Sequence, residues 1–218
     1  MSNLNNRVSD LERTVDALRK YIVMRDGLWI EKRLDDIDKH INSYERVDNE
    51  DIRLQLEFDN LMMCRAHLQE DFLEYCRRAV LQMEGFLGWA LVKHENDDIG
   101  RAEKAWIKVQ KRQAKDRRNY EPRDYPSNIG KVGAFDKLEL GFTAFRKWNF
   151  FKLPKEETRF WEMKAVLDIR NLASHRDDGT RVSSQLKDEA LSLYESGDRY
   201  QRVAGYLTDL QEWTHGYF

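Results

Sequence analysis

The chain has 218 residues, 35% of them charged and 41% hydrophobic, with 37 basic against 39 acidic side chains and a net charge of −2. A chain of this length buries a core without staples, and its near-cancelling charge excludes a polycation, so nucleic-acid affinity has to come from local clustering. Three prolines and eleven glycines exclude a turn-rich all-β chain.

The N-terminus lacks the basic-then-apolar layout of a secretory signal. No stretch approaches the roughly 18 apolar residues of a membrane span. Two cysteines, Cys64 and Cys76, stand apart with no CxxC spacing, which excludes a zinc finger and a disulfide scaffold. The expectation is a cytoplasmic protein with no membrane partner.

Leu4, Val8, Leu11, Val15, Leu18 and Ile22 alternate steps of four and three, an a/d seam over 4–25. So short a seam needs a partner, either the chain's own body or a second chain. Helical spacing continues over 28–47 with Leu34, Ile37, Ile41 and Tyr44. The string VDNED at 47–51 predicts a break and a new N-cap. Residues 1–50 are therefore expected to form a helical extension, and residues 51–218 a bundle. Residues 51–93 predict one long helix or two abutting ones. The C-terminal half, FLEYCRRAVLQMEGFLGWALV, is apolar on more than one face and belongs in the middle of a bundle.

Residues 101–118 predict a basic helix. From 101 to 123 there are nine Lys/Arg and three Asp/Glu, a net of +6 that leaves −8 for the rest. Its lysines Lys108, Lys111 and Lys115 can contact an RNA backbone, or form a solvated face or a surface for an acidic protein. Trp106 within it reads as a core anchor. Residues 119–131 hold two of the three prolines and predict a loop. Helical spacing resumes over 133–151 with Phe135, Leu138, Phe142, Phe145 and Trp148. The aromatic stripe formed with Phe150 and Phe151 reads as core or dimer interface. Pro154 opens a helix over 155–175 carrying Phe160, Met163, Val166, Leu167 and Ile169. A loop at 176–182 precedes two last helices, near 183–195 and 198–214. No period-two alternation intervenes, so the fold class is all-α, an antiparallel bundle of seven or eight helices.

Phosphate-cradling glycine loops, GxSxG, HExxH and dinucleotide fingerprints are all missing. None of His40, His67, His94, His175 and His215 has another histidine three to five residues away, so neither a metal nor a cofactor is expected. One string carries chemistry: Leu167-Asp168-Ile169-Arg170-Asn171-Leu172-Ala173-Ser174-His175-Arg176-Asp177. An arginine, a polar residue directly after it, and a histidine separated from the arginine by four residues close a helix that starts at a proline break. Arg33 and His40 fit the bare pattern too, but Arg33 is followed by Leu34 within a continuing charged helix and reads as a solvated face.

This string resembles the active-site pattern of the HEPN superfamily (higher eukaryotes and prokaryotes nucleotide-binding). The segment around Glu84 resembles the early bundle helix of that family, whose acidic residue faces the arginine–histidine helix. The two matches cover about 20 and about 25 residues and leave out the N-terminal fifty and the basic insert. The resemblance implies a HEPN-like bundle that dimerises, and a metal-independent endoribonuclease of a prokaryotic defence or toxin system, with RNA as substrate and an antitoxin or defence-system protein as partner. It implies Arg170, Asn171, His175 and Glu84 as the catalytic set; Arg176, and outside the resemblance the clustered Lys108, Lys111 and Lys115, are the expected RNA contacts. Asp177 stands where toxin members often have a tyrosine, so modification of such a tyrosine is not implied.

The chemistry of the residues agrees with that set. Metal-free RNA cleavage needs a base for the 2′-hydroxyl, an acid for the leaving 5′-oxygen and a cation for the phosphorane. Histidine transfers protons near neutral pH, and the always-charged guanidinium forks onto phosphate oxygens. Five helical residues separate two side chains by about 140° and about 7.5 Å. Arg170 and His175 therefore converge only if His175 leaves the helix or two copies pool their pairs. Asn171 and His175, at i,i+4, share a face. A non-enzymatic alternative also fits: a helical scaffold that dimerises through its seam and binds protein or nucleotide.

Overall fold

The computed structural model describes residues 42–116, 120–145, 154–174 and 188–215. Seven α-helices lie among them: α1 (Glu50–Leu68), α2 (Phe72–Asp97), α3 (Ile99–Asp116), α4 (Ala134–Phe145), α5 (Pro154–Ser174), α6 (Asp188–Glu195) and α7 (Arg199–His215). A 3-10 turn, Ile129–Lys131, precedes α4. No strand occurs among the described residues, and no described helix is long and apolar enough to cross a membrane. The chain is all-α.

The stretch expected as one helix or two is two, and its local chemistry says why. Asn49 caps α1 by accepting from the amide of Ile52 at 3.0 Å, and Glu50 and Asp51 sit where the helix dipole favours acids. At the far end Glu70 takes φ 59°. The amides of Glu70 and Asp71 reach back to the carbonyls of His67 and Ala66, a Schellman ending. A non-glycine residue in that left-handed position costs about 1 kcal/mol. The turn is so tight that Asp71 at once caps α2, accepting from the Glu74 amide at 3.0 Å. Contacts then pair falling with rising numbers: the half-buried Arg78 meets Asp59 at 3.1 Å, and Lys93 meets Asp48 at 2.9 Å. Helices α1 and α2 are antiparallel.

Helix α2 is the hub. It packs against α1, α3, α4, α5 and α7, and Cys76, Leu87 and Ala90 along it are fully buried. Burial drives the Cys76 thiol pKa well up, leaving it inert. At Gly141 of α4 an added Cβ would lie 2.7 Å from Leu87 Cδ2, so only glycine lets α4 come this close to α2. Phe142 meets Phe160 of α5 edge to face at 5.3 Å and Trp213 of α7 at 4.8 Å. All five apolar positions expected on α5 are buried.

The expected boundary at residue 50 moves. Tyr44, assigned by spacing to a helix over 28–47, stands in a non-helical segment. Tyr44 and Val47 are both buried in the core. The Tyr44 hydroxyl donates to Gln82 Oε1 at 2.5 Å, and Asn42 accepts from Asn60 of α1 and Thr208 of α7. Residues 42–49 thus belong to the bundle, because Tyr44 and Val47 bury more apolar surface there than on a free helix. The 4–25 seam, Trp148, Phe150, Phe151 and the 176–182 loop lie outside the described residues.

His94, near the end of α2, is buried and meets Phe145 edge-on at 5.6 Å. Burial first, and the Arg101 charge second, hold its imidazole below the usual pKa, against the opposing pull of Asp98 and Asp97. The unfolded chain therefore binds this proton more readily, and stability falls as pH drops below about 6.5 toward the depressed native value. The loss of melting temperature between about pH 7.5 and about pH 5.5 is expected to shrink in His94→Phe. An equal loss in both proteins refutes this.

Candidate active site

Helix α5 carries Arg170 and Asn171 near its C-terminal end, and α2 carries Glu84 opposite them. The Arg170 guanidinium meets Glu84 at 3.5 Å, both side chains about a quarter exposed. Glu84 lies on the stretch where α2 is still packed but its charged face opens to water, which is why a carboxylate survives there without a buried partner. Asn171 is exposed. Helix α5 ends at Ser174; His175 and Arg176 lie outside the described residues.

Arg170, Asn171 and Glu84 line one cleft of about 700 Å³. Two further elements, together with more of α5, build its other walls. The loop after α3 brings Tyr120 and Arg123, the start of α4 brings Asp136, and α5 adds Lys164 and Asp168. The loop is held by α3. Gln110 Oε1 accepts from the Tyr120 hydroxyl at 2.7 Å and from the Arg123 amide at 2.9 Å, and Trp106 Nε1 donates to the Arg123 carbonyl at 3.1 Å. Trp106 is buried, and the Arg123 guanidinium sits 5.4 Å above its ring. That guanidinium also donates to Asp136 at 2.8 Å, and this bond, offset by partial desolvation, raises its pKa. Lys164 pairs with Asp168 at 2.6 Å.

The cleft is therefore lined by three ion pairs: Arg170–Glu84, Arg123–Asp136 and Lys164–Asp168. Its lining charge is zero, three cations against three carboxylates. All three pairs are partly exposed, so each is worth only about 0–1 kcal/mol, and a phosphate can draw a cation away at small cost. Two guanidinium groups in one cleft, Arg170 and Arg123, can both fork onto phosphate oxygens. No group of three or more His, Cys, Asp or Glu residues suited to a metal occurs among the described residues.

The sequence-derived set divides. Arg170, Asn171 and Glu84 come together. Lys108, Lys111 and Lys115 do not join them: all three are exposed on the outer face of α3 and are absent from the cleft lining. Tyr120, Arg123, Asp136 and Lys164 were not singled out from sequence, and Asp168 stood only within the motif string. Lys164 and Asp168 had a signal, since they precede Arg170 and Asn171 at helical spacing. The loop residues had none, because long-range bonds to Gln110 and Trp106 place them.

Behind the cleft lies a buried counterpart. Glu139 of α4 is fully buried and ion-paired to Arg112 of α3. Gln113 Nε2 donates to Glu139 at 2.6 Å and to Asp136 at 2.9 Å. This amide ties the buried pair to the cleft wall.

Comparisons of the chain with protein-family models, with curated proteins and with solved structures gave no match.

Proposed function

We propose that the chain is a metal-independent endoribonuclease with a HEPN-like antiparallel bundle, acting as a homodimer in a prokaryotic defence or toxin system. The observation that carries this reading is the Arg170–Glu84 pair across a cleft that also holds Asn171 and Arg123. An acidic residue of the central helix facing the arginine of the motif helix is the relation that the motif resemblance implies.

In this reading a neutral imidazole of His175 takes the proton of a 2′-hydroxyl, and the 2′-oxygen attacks phosphorus. The bond from phosphorus to the 5′-oxygen breaks, and an imidazolium, of His175 in one or the other copy, returns a proton to that oxygen. Arg170 stabilises the pentacovalent dianion. Glu84 holds Arg170 in place, and Asn171 orients His175 or the substrate. The products are a 2′,3′-cyclic phosphate and a free 5′-hydroxyl.

The three internal ion pairs favour a second reading, a non-catalytic scaffold in which Arg170 is structural. One assay separates the two. The purified protein is mixed with total RNA in excess chelator, and the new ends are mapped. Cleavage with cyclic-phosphate ends supports the nuclease. RNA left intact with and without divalent metal refutes it and leaves the scaffold.

A further inference from the structure

A second groove, of about 510 Å³, begins where the first ends, because Glu84 lines both. It runs along α2 from Glu84 past Gly88 to Asn96, some 18 Å of helix at about 1.5 Å per residue. The 3-10 turn and α4 supply Lys131 and Lys137. Lys137 Nζ donates to the Glu84 carbonyl at 3.2 Å, and an added Cβ on Gly88 would lie 3.3 Å from that ammonium. The bare helix surface at Gly88 is what gives Lys137 its place.

The charges of the two grooves differ in kind. In the first, every cation has a carboxylate. In the second, Lys93 meets Asp48 at 2.9 Å, and Glu84 is engaged by Arg170. That leaves Lys131, and Lys137, which shares the Glu84 charge with Arg170. Taken together the two linings hold six cations (Arg123, Lys164, Arg170, Lys93, Lys131, Lys137) and four carboxylates (Glu84, Asp136, Asp168, Asp48). The second lining by itself holds three cations against two carboxylates, an excess of +1 in a chain whose net charge is −2. Lys131 is exposed at its edge. Lys137 is half-buried, a desolvated ammonium whose pKa is lowered by that burial, so an anion beside it regains what desolvation cost. The amides of Asn96 and Asn128 add neutral donors on the same rim.

We propose that this second groove binds single-stranded RNA continuing from the Arg170 cleft, with Lys131 and Lys137 on its backbone phosphates. The inference rests on the nuclease reading for the identity of the polyanion. Because contacts to backbone phosphates carry no sequence information, binding there is independent of sequence. The groove thereby sets how much strand the protein holds and not which base it cuts.

The test uses the full chain and a fluorescent, uncleavable 2′-O-methyl oligonucleotide of about 12 nucleotides. Lys131→Glu alters an exposed residue and keeps the fold; Lys137→Met keeps the buried stem. Lys131→Glu is expected to weaken binding roughly tenfold or more. In Lys131→Gln with Lys137→Met, the slope of log affinity against log salt is expected to flatten by about 0.7 for each phosphate that is no longer neutralised. In RNA cleavage KM rises while kcat holds. If the wild type cleaves RNA yet these variants keep its affinity and salt slope, the groove is refuted and the nuclease stands. If the wild type binds through these lysines but never cuts, the nuclease falls and the groove stands. A wild type that binds no oligonucleotide overturns both.

Discussion

Arg170→Ala is expected to slow RNA cleavage about a hundredfold to a thousandfold, the usual cost of removing a preorganised group from developing phosphorane charge. His175→Ala is expected to slow it about a hundredfold to ten-thousandfold, through loss of proton transfer. The Arg170 change should not unfold the protein. The Arg170–Glu84 pair is a quarter exposed on each side, so losing it costs about 1 kcal/mol at most. Arg170→Lys keeps the charge but not the fork and should fall between alanine and wild type. Single-turnover rates beside thermal melts make the measurement. Alanine variants that cut like the wild type leave the helix end a structural feature.

Glu139→Ala is expected to do the opposite, destabilising the bundle by about 3–5 kcal/mol while touching no substrate. Its carboxylate has no exposure to water, and the partner Arg112 keeps only 14% of its side chain exposed. Removing one member strands the other charge inside the bundle, with the Gln113 amide left short of an acceptor. Replacing both, as Arg112→Met with Glu139→Leu, should recover most of the stability, since two apolar groups need no partners. Chemical denaturation of the three proteins decides it. A double variant no better than Glu139→Ala means that the cost lies in packing and not in charge. Two Arg–Glu pairs in one molecule thus have different consequences, and burial is what separates them.

Much of this arrangement was legible in the chain. The apolar positions on α5, the core role of the segment around Met83 and Phe86, and the loop after α3 all follow from helical spacing and proline placement. The facing of Glu84 and Arg170 came from a motif resemblance and not from spacing. What spacing missed has specific causes. Tyr44 kept helical register with Ile41, yet the core captured it outside any helix. The turn at Glu70 has no glycine to announce it, although Asp71 followed by Glu74 is a capping signature. Glu139 lies on the same helical face as Phe135 and Phe142, so a carboxylate among aromatics was a sign of a buried partner. Arg112, in a helix read for its lysines, supplied it. Arg123 and Tyr120 were invisible because a loop's position depends on bonds to residues ten or more places away.

The hydrogen bond from Thr208 to Asn42 joins residues 166 positions apart. During synthesis Asn42 leaves the ribosome long before Thr208, so the clasp that seals residues 42–49 onto the body forms only after α7 has emerged. The hairpin of α1 and α2 closes across three residues and can assemble on the ribosome. Closure of the bundle waits for α7.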